Sequence, residues 1–178
     1  MKLLLISDID DLRWKHGNGQ ADLILSCGDV ADQVILEACK AYNCQKIFAV
    51  KGNHDSISQF PEPIMDLHMT VREFKGWKFG GLNGSWRYKT RGPYLYDQAE
   101  VCKFMSFFPP VDILICHNSP EGIHDRADGI HAGFGGLTAY LMKHSPKMLV
   151  HGHQHVDCET RRGETHVIGV YGFKMVEI

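Results

Sequence analysis

The chain has 178 residues, of which 44% are hydrophobic and 22% are charged, which suits one globular domain and excludes a disordered protein. Its 19 basic and 21 acidic residues leave a net charge of −2, so no positive excess exists to neutralise a nucleic-acid backbone. No segment approaches the ~20 apolar residues of a membrane span, and the apolar start is too short for a signal-peptide core. We therefore expect a cytoplasmic protein with no membrane partner, in which nucleic acid is a disfavoured ligand.

Five apolar runs predict buried strands, and each run leads into a polar cluster. They cover residues 2–7, 22–27, 46–51, 112–116 and 148–150. Near-continuous apolar runs of this length are typical of strands covered on both faces. Helix-like stretches lie between them, at residues 32–42, 98–108 and 135–143. Strands that alternate with helices predict an α/β arrangement with parallel pairing.

Two further segments have the pattern of antiparallel hairpins. Residues 70–74 and 77–80 flank Lys75 and Gly76, and residues 158–161 and 165–170 flank a turn at Arg162 and Gly163. A last strand is expected at 173–178, and the aromatic, basic stretch 86–96 is interpreted as a surface loop. The six cysteines form no C-x-x-C pair, which favours reduced, buried thiols over a disulfide frame or a zinc site. We expect one mixed α/β domain over residues 1–178.

Residues that bind metals follow five of the predicted strands. They are Asp8 and Asp10, Asp29, Asn53 and His54, His117, and His153 and His155. Taken alone, these clusters are more simply explained by a turn, a helix cap, a loop or a histidine without metal, and HGHQH is the strongest single indication of a site. All five together at strand ends, where the sites of α/β sheets form, indicate a metal centre. The number of ligands exceeds what one ion needs and fits two ions about 3.5–4 Å apart.

As a set, these motifs resemble those of the calcineurin-like metallophosphoesterase family. The family pattern is D-x-H, G-D, G-N-H-D/E, H and G-H-x-H. This chain has SDID at 7–10, GDV at 28–30, GNHD at 52–55, CHNSP at 116–120 and HGHQH at 151–155. The resemblance implies two packed mixed β-sheets, a β-sandwich, flanked by helices.

The resemblance also implies which residues hold the two ions. Asp8, Asp29 and His155 would bind the first, with Asp10 where the family has histidine. Asp29 would bridge to the second ion, which Asn53, His117 and His153 would complete. Mn²⁺ is the expected ion, with Fe, Zn, Mg and Ni as other candidates.

His54 and Asp55 are the residues to which the resemblance gives catalytic roles. His54 would lie over the substrate, donate to a phosphoryl oxygen and protonate the leaving group, while Asp55 would orient it or shape the site. A hydroxide that bridges the ions would attack phosphorus, so no phospho-enzyme would form. The implied function is a metal-dependent phosphoesterase acting on a small phosphate ester.

Asp10 departs from the family pattern and bears on the choice of substrate. It either binds metal with an altered charge or turns away, leaving His16 or water in its place. As a ligand it makes the centre less positive by one unit, which disfavours dianionic monoesters more than monoanionic diesters. The sequence therefore predicts a phosphodiesterase, with a phosphomonoesterase of the same fold as the alternative.

Two other functions are compatible with parts of the sequence. The D-x-D at Asp8 and Asp10 superficially resembles the start of haloacid-dehalogenase-type phosphatases, in which Asp8 would be a covalent nucleophile. A binding scaffold of the metallophosphoesterase fold, without catalysis, is the second. Neither the GNHD nor the HGHQH motif is explained by the dehalogenase-type interpretation.

Residues 121–136 lie between two ligand segments and are expected to border the site. His124, Arg126 and His131 are candidates for substrate contact, although an ion pair with Asp125 or Asp128 is the slightly favoured explanation of Arg126. His151 precedes the matched G-H-x-H and is interpreted as a supporting residue.

Overall fold

The structure, a computed structural model, describes residues 1–9 and 17–178. Over these residues the helices are α1 (Asp32–Ala41), α2 (Gln98–Phe107) and α3 (Gly135–His144). Asp97 begins α2 with a capping box, because its side chain accepts from the backbone of Glu100 and the Glu100 side chain accepts from Asp97 N. The strands form two large sheets and one small one.

The first sheet has the strand order β13-β1-β2-β3-β4. Its strands are β1 (Lys2–Ser7), β2 (Leu23–Cys27), β3 (Ile47–Val50), β4 (Ile64–Asp66) and β13 (Gly172–Glu177). β1 to β4 run parallel to one another, and β13 pairs antiparallel with β1. The carboxyl ends of the four parallel strands therefore meet at one edge.

The second sheet has the strand order β11-β12-β10-β9-β6-β5. Its strands are β5 (Val71–Phe74), β6 (Trp77–Leu82), β9 (Ile113–Cys116), β10 (Met148–His151), β11 (Cys158–Arg162) and β12 (Thr165–Gly169). The four inner strands are parallel, and β5 and β11 close the edges as antiparallel hairpin partners. A two-stranded sheet joins β7 (Ser85–Trp86) to β8 (Leu95–Tyr96).

The two large sheets pack face to face, with helices on their outer faces. Alternate residues of one strand enter different cores: Leu3 and Leu5 meet Ile113 and Val150 of the second sheet, whereas Leu4 packs with α1. On the far side, α2 and α3 cover the second sheet through a separate core. Strands buried on both faces explain the continuous apolar runs of the sequence.

The predicted fold class is confirmed. The predicted helices and strands occur within two residues of their expected ends, including the hairpin at Lys75 and Gly76. The prediction of a surface loop at 86–96 is wrong at its two ends, where Trp86 pairs with Tyr96 and Leu95 is buried. Among the described residues, no helix combines the length and apolar character that crossing a membrane requires.

Candidate metal centre

The carboxyl ends of five strands, three from the first sheet and two from the second, bring together six of the predicted ligands. Asp8, Asp29 and Asn53 follow β1, β2 and β3, His117 follows β9, and His153 and His155 follow β10. We call these six residues the candidate metal centre. A hydrogen bond of 2.8 Å between His117 Nδ1 and the Cys27 carbonyl joins the two sheets at this edge.

One half of the centre is formed around Nε2 of His117. This nitrogen lies 3.2 Å from Oδ2 of Asp29 and 3.1 Å from Oδ1 of Asn53. His117 and Asn53 are almost fully buried. Because Nδ1 carries the proton that is donated to Cys27, a neutral His117 presents a lone pair at Nε2, facing two oxygen acceptors. Three acceptors at this spacing need a shared positive charge.

Without a metal, that charge is a proton on His117. Burial alone would lower the pKa of His117, but the adjacent Asp29 carboxylate raises it to about 9. Burial alone would likewise raise the pKa of Asp29, but His117 and the His54 amide lower it to about 2. The same arrangement of one nitrogen and two oxygens suits a divalent cation, whose binding would replace this proton.

The other half of the centre contains the Asp8 carboxylate. Its Oδ2 accepts hydrogen bonds from Ser7 Oγ at 2.6 Å and from the backbone N–H of His153 at 2.9 Å. Its Oδ1 is buried, receives no hydrogen bond from the described residues, and lies 3.4 Å from Nε2 of His155. Burial alone would raise the pKa of Asp8, but His155, His117 and Ser7 lower it. A buried, ionised oxygen without a close hydrogen-bond donor is an atom that a divalent cation can bind.

The two halves adjoin each other. Ligand atoms of Asp8, Asp29 and His117 lie within 4.8 Å of one another, and the His153 ring centroid is 5.0 Å from that of His117. Burial lowers the pKa of His153 to about 3, so this side chain is neutral and can donate a lone pair. The donor set of carboxylate, amide and imidazole therefore fits divalent cations of the Mn²⁺ and Zn²⁺ class.

Close backbone approach at Gly52 positions the loop that carries Asn53. A Cβ at Gly52 would lie 2.0 Å from Oδ1 of Asp29 and 2.7 Å from its backbone nitrogen. Asp55 secures the same contact, since its Oδ2 accepts from Gly52 N at 2.7 Å and from Asp29 N at 2.9 Å. Burial raises the pKa of Asp55. Asp55 thus shapes the site by binding two loops together.

His54 lies at the mouth of the centre with an exposed side chain. Its backbone N–H donates to Oδ1 of Asp29 at 2.8 Å, which fixes its position beside Asn53. Asp29, His54 and Asp55 line a cleft of ≈ 360 Å³ that extends to Lys51 and Asp32. This volume lies in the range of small-molecule sites.

Four residues of the centre have left-handed backbone conformations. Asp8 and Asp29 have φ of 53°, His153 has φ of 64° and His155 has φ of 51°. Side chains other than glycine rarely adopt this region, and they concentrate at functional sites when they do. The sharp turn after each strand directs the side chain back toward the shared edge.

The remaining predicted residues have different positions. His131 borders the centre, with its ring centroid 5.0 Å from that of His153 and its Nδ1 2.6 Å from Oδ2 of Asp128. Arg126 pairs with Asp128, as the simpler interpretation predicted. His124 contacts His151 and Thr160. Asp10 and His16 lie outside the described residues.

Two supporting residues are given no role by the motifs of the sequence. Tyr88 accepts a hydrogen bond of 3.2 Å from Nδ2 of Asn53, and thereby turns the amide oxygen of Asn53 toward His117. Ser7 donates to Asp8. The aromatic stretch around Tyr88 was a visible signal, but only the fold brings it to the GNHD loop.

The family model described as calcineurin-like phosphoesterase matches residues 1–157, which include all six residues of the centre. The chain belongs to the calcineurin-like phosphoesterase family. The resemblance inferred from the five motifs is therefore confirmed. No curated protein matches the chain in sequence.

Solved structures of other proteins share the fold of this calcineurin-like phosphoesterase. The phosphopantetheinyl hydrolase of Mycobacterium tuberculosis has a TM-score of 0.57 at 12% identity, covering 96% of this chain and 89% of its own. The protein TT1561 of Thermus thermophilus has a TM-score of 0.56 at 13% identity over the same shares. Vps29 of Entamoeba histolytica, in complex with Zn²⁺, has a TM-score of 0.55 at 12% identity, covering 100% and 86%. At such low identity these similarities establish the fold alone.

Proposed function

We propose that the chain is a dinuclear metal-dependent phosphoesterase that hydrolyses phosphodiesters. The observation that carries this proposal is the convergence of His117 Nε2, Asp29 Oδ2 and Asn53 Oδ1 beside the open Oδ1 of Asp8. Acceptors that converge at one sheet edge, and that need a shared positive charge, favour two cations over a purely structural polar cluster. Membership of the phosphoesterase family supports the same reaction class.

The residues divide into two ligand groups about the Asp29 carboxylate. Asp8 and His155 would hold one ion, and Asn53, His117 and His153 would hold the other. When bound, two divalent ions supply Lewis-acid charge and activate water for attack on phosphorus. The hydrogen bond of His117 to the Cys27 carbonyl sets the tautomer that presents Nε2.

His54 is the residue proposed to act on the substrate directly. Its exposed imidazole is held next to the centre by its own backbone N–H and is free of the buried ligand cluster. A donor in this position can bind a phosphoryl oxygen and pass a proton to the leaving oxygen. Asp55 would contribute by holding the two loops rather than by moving a proton.

The preference for diesters rests on the sequence at position 10. Asp10 replaces the histidine of the family pattern, and as a further ligand of the ion held by Asp8 and His155 it would make the centre less positive by one unit. One charge at short range in a partly dehydrated site is worth on the order of a few kcal/mol. A small phosphodiester, which is a monoanion, is therefore the proposed substrate, and the net charge of −2 disfavours long nucleic acids.

The test compares kcat/KM for a matched aryl monoester and aryl diester in the presence of Mn²⁺. Chelation should abolish hydrolysis, and Mn²⁺ should restore it. Asp10→His should raise the monoester-to-diester ratio while both metals remain bound, and an unchanged ratio would rule out the charge argument. A trapped phospho-aspartate at Asp8 would support the dehalogenase-type alternative, and metal binding without hydrolysis of either ester would support a scaffold.

A further inference from the structure

A second group of metal-ligating side chains lies outside the candidate metal centre. His151 ends β10, Cys158 begins β11, and His124 lies in the loop before α3. One ligand atom from each of the three residues lies within 4.8 Å of the others. We call this group the His–His–Cys cluster. The family motifs assign none of its members to the phosphoesterase ions.

A missing side chain makes the cluster possible. Gly169 of β12 pairs with His151 on one side and with Cys158 on the other, so it lies between them. A Cβ at Gly169 would lie 2.6 Å from Sγ of Cys158 and 3.3 Å from Nε2 of His151. Residues two strands apart are normally separated by the side chain between them. Here the thiol fills that space and approaches the imidazole.

Hydrogen bonds from the protein set the tautomer of His151 and allow the His124 tautomer that a metal ion requires. Nδ1 of His151 donates to the Gly152 carbonyl at 2.9 Å, which leaves Nε2 with a lone pair inside the cluster. Nε2 of His124 lies 2.8 Å from the hydroxyl of Thr160, which can accept its proton and leave Nδ1 with a lone pair. Nε2 of His151 and Nδ1 of His124 lie 2.9 Å apart, which is a hydrogen-bond distance, and a cation between them requires the His124 tautomer that carries its proton on Nε2. Metal-binding histidines are oriented by the same kind of partner.

We propose that His124, His151 and Cys158 bind one transition-metal ion of the Zn²⁺ class. Two nitrogens and one thiolate form a softer donor set than the carboxylate, amide and imidazole groups of the candidate metal centre, and such sets favour Zn²⁺ over Mn²⁺. Bond lengths of about 2.0–2.1 Å to nitrogen place tetrahedral ligands roughly 3.3 Å apart, so the histidines need to separate by only a few tenths of an ångström. The Cys158 proton leaves to solvent on binding.

The cluster has an open side. His151 is fully buried, whereas His124 and Cys158 are partly exposed, so an ion can enter from solvent and keep a water as its fourth ligand. An ion held there would tie the loop before α3 to the end of β10. That strand end leads directly into His153 and His155 of the metal centre.

Co²⁺ titration of the full chain tests the proposal, because a cobalt–thiolate bond gives an intense charge-transfer band in the near ultraviolet. The oxygen and nitrogen ligands of the metal centre cannot produce that band. We expect the band in the wild-type protein and in Cys102→Ser, which removes an exposed cysteine elsewhere. We expect its loss in Cys158→Ser and in Gly169→Ala, which retains every ligand but fills the space.

Asp29→Asn should keep the charge-transfer band, because it alters only the metal centre. The outcome of the Co²⁺ titration is therefore independent of phosphoesterase activity. His124→Gln, a change in a loop, should weaken Co²⁺ binding at least about tenfold even if the β-sheet variants fold poorly. Absence of the band in folded wild-type protein, or its survival in Cys158→Ser, would overturn the proposal and leave a hydrogen-bonded cluster without metal.

Discussion

His117 combines three roles in one buried ring: it joins the two sheets, presents Nε2 to Asp29 and Asn53, and holds a proton when no metal is bound. Its pKa is raised to about 9 by Asp29, although burial opposes this. The protonated form therefore stabilises the metal-free fold below pH 6.5, and this stabilisation is lost as pH rises through about 9. Metal binding strengthens over the same interval, because the competing proton leaves.

We expect His117 of the metal-free protein at pH 7 to carry protons on both ring nitrogens. Saturation with Zn²⁺, which is diamagnetic, should remove the Nε2 proton and leave the Nδ1 proton on the Cys27 carbonyl. Two-bond ¹⁵N–¹H correlation spectra distinguish these states. A neutral His117 at pH 7 without metal would contradict the assignment of its charge to Asp29.

His54 gives a second prediction at the level of one residue. Substitution by alanine removes the proposed proton donor, and turnover of an aryl diester should fall about 10²–10⁴-fold, the usual range for a lost acid–base group. Metal content, measured by plasma mass spectrometry, should not change. His144→Ala, at the end of α3, is the matched control and should keep full turnover. Loss of a metal from the His54 variant would make His54 a ligand.

The residues of the centre could be predicted from the sequence because each follows an apolar run. The order of strands and motifs along the chain therefore predicts that these side chains meet at strand ends. The His–His–Cys cluster could not be predicted, since it depends on an empty position at Gly169 in a strand between two others. The role of Tyr88 could not be predicted either, because its contact with Asn53 depends on how the chain folds.

Among the elements, the loop after β3 is the part of the site most sensitive to added volume. Gly52→Ala would place a methyl group 2.0 Å from Oδ1 of Asp29. Either Asp29 or the loop must move, at a cost of about 1–3 kcal/mol in stability. Mn²⁺ affinity, measured by calorimetry, should fall at least about tenfold.

Gly19→Ala is the matched control for this prediction. A Cβ there lies 3.4 Å from the ring of Tyr42, an ordinary contact, so affinity and urea midpoint should stay near wild type. Equal affinities of the Gly52 and Gly19 variants would show that the Asp29 loop is not held by this close approach.

Element positions were predictable where burial produces a continuous apolar run, as in β1 and β9. The short strands β4, β7 and β8 were not, because two or three residues carry no usable period. The pairing between strands could not be predicted from the sequence either. The parallel contact of β6 with β9, for example, joins segments separated by a loop, a small sheet and α2.

At the scale of the whole molecule, the metal centre connects two sheets that otherwise meet through an apolar core. Ligands from both sheets would share the same ions, so bound metal should stabilise the fold as a whole. Linkage predicts about 2.7 kcal/mol when free metal is about 100-fold above its Kd.

Thermal unfolding with saturating Mn²⁺ and with a chelator measures this effect. The chelated protein should unfold at a lower temperature, and Asp29→Asn should show a much smaller difference between the two conditions. An equal shift in wild type and Asp29→Asn would place the stabilising ion elsewhere.

The left-handed turns at Asp8, Asp29, His153 and His155 have a consequence for how this protein would evolve in the laboratory. Each holds a side chain in a conformation that glycine adopts more easily. A library selected only for heat resistance in the presence of a chelator should therefore accumulate glycine at these positions. The surviving clones would keep the sandwich and lose the centre, because the conformations that aim the ligands are the ones that selection for the metal-free fold removes.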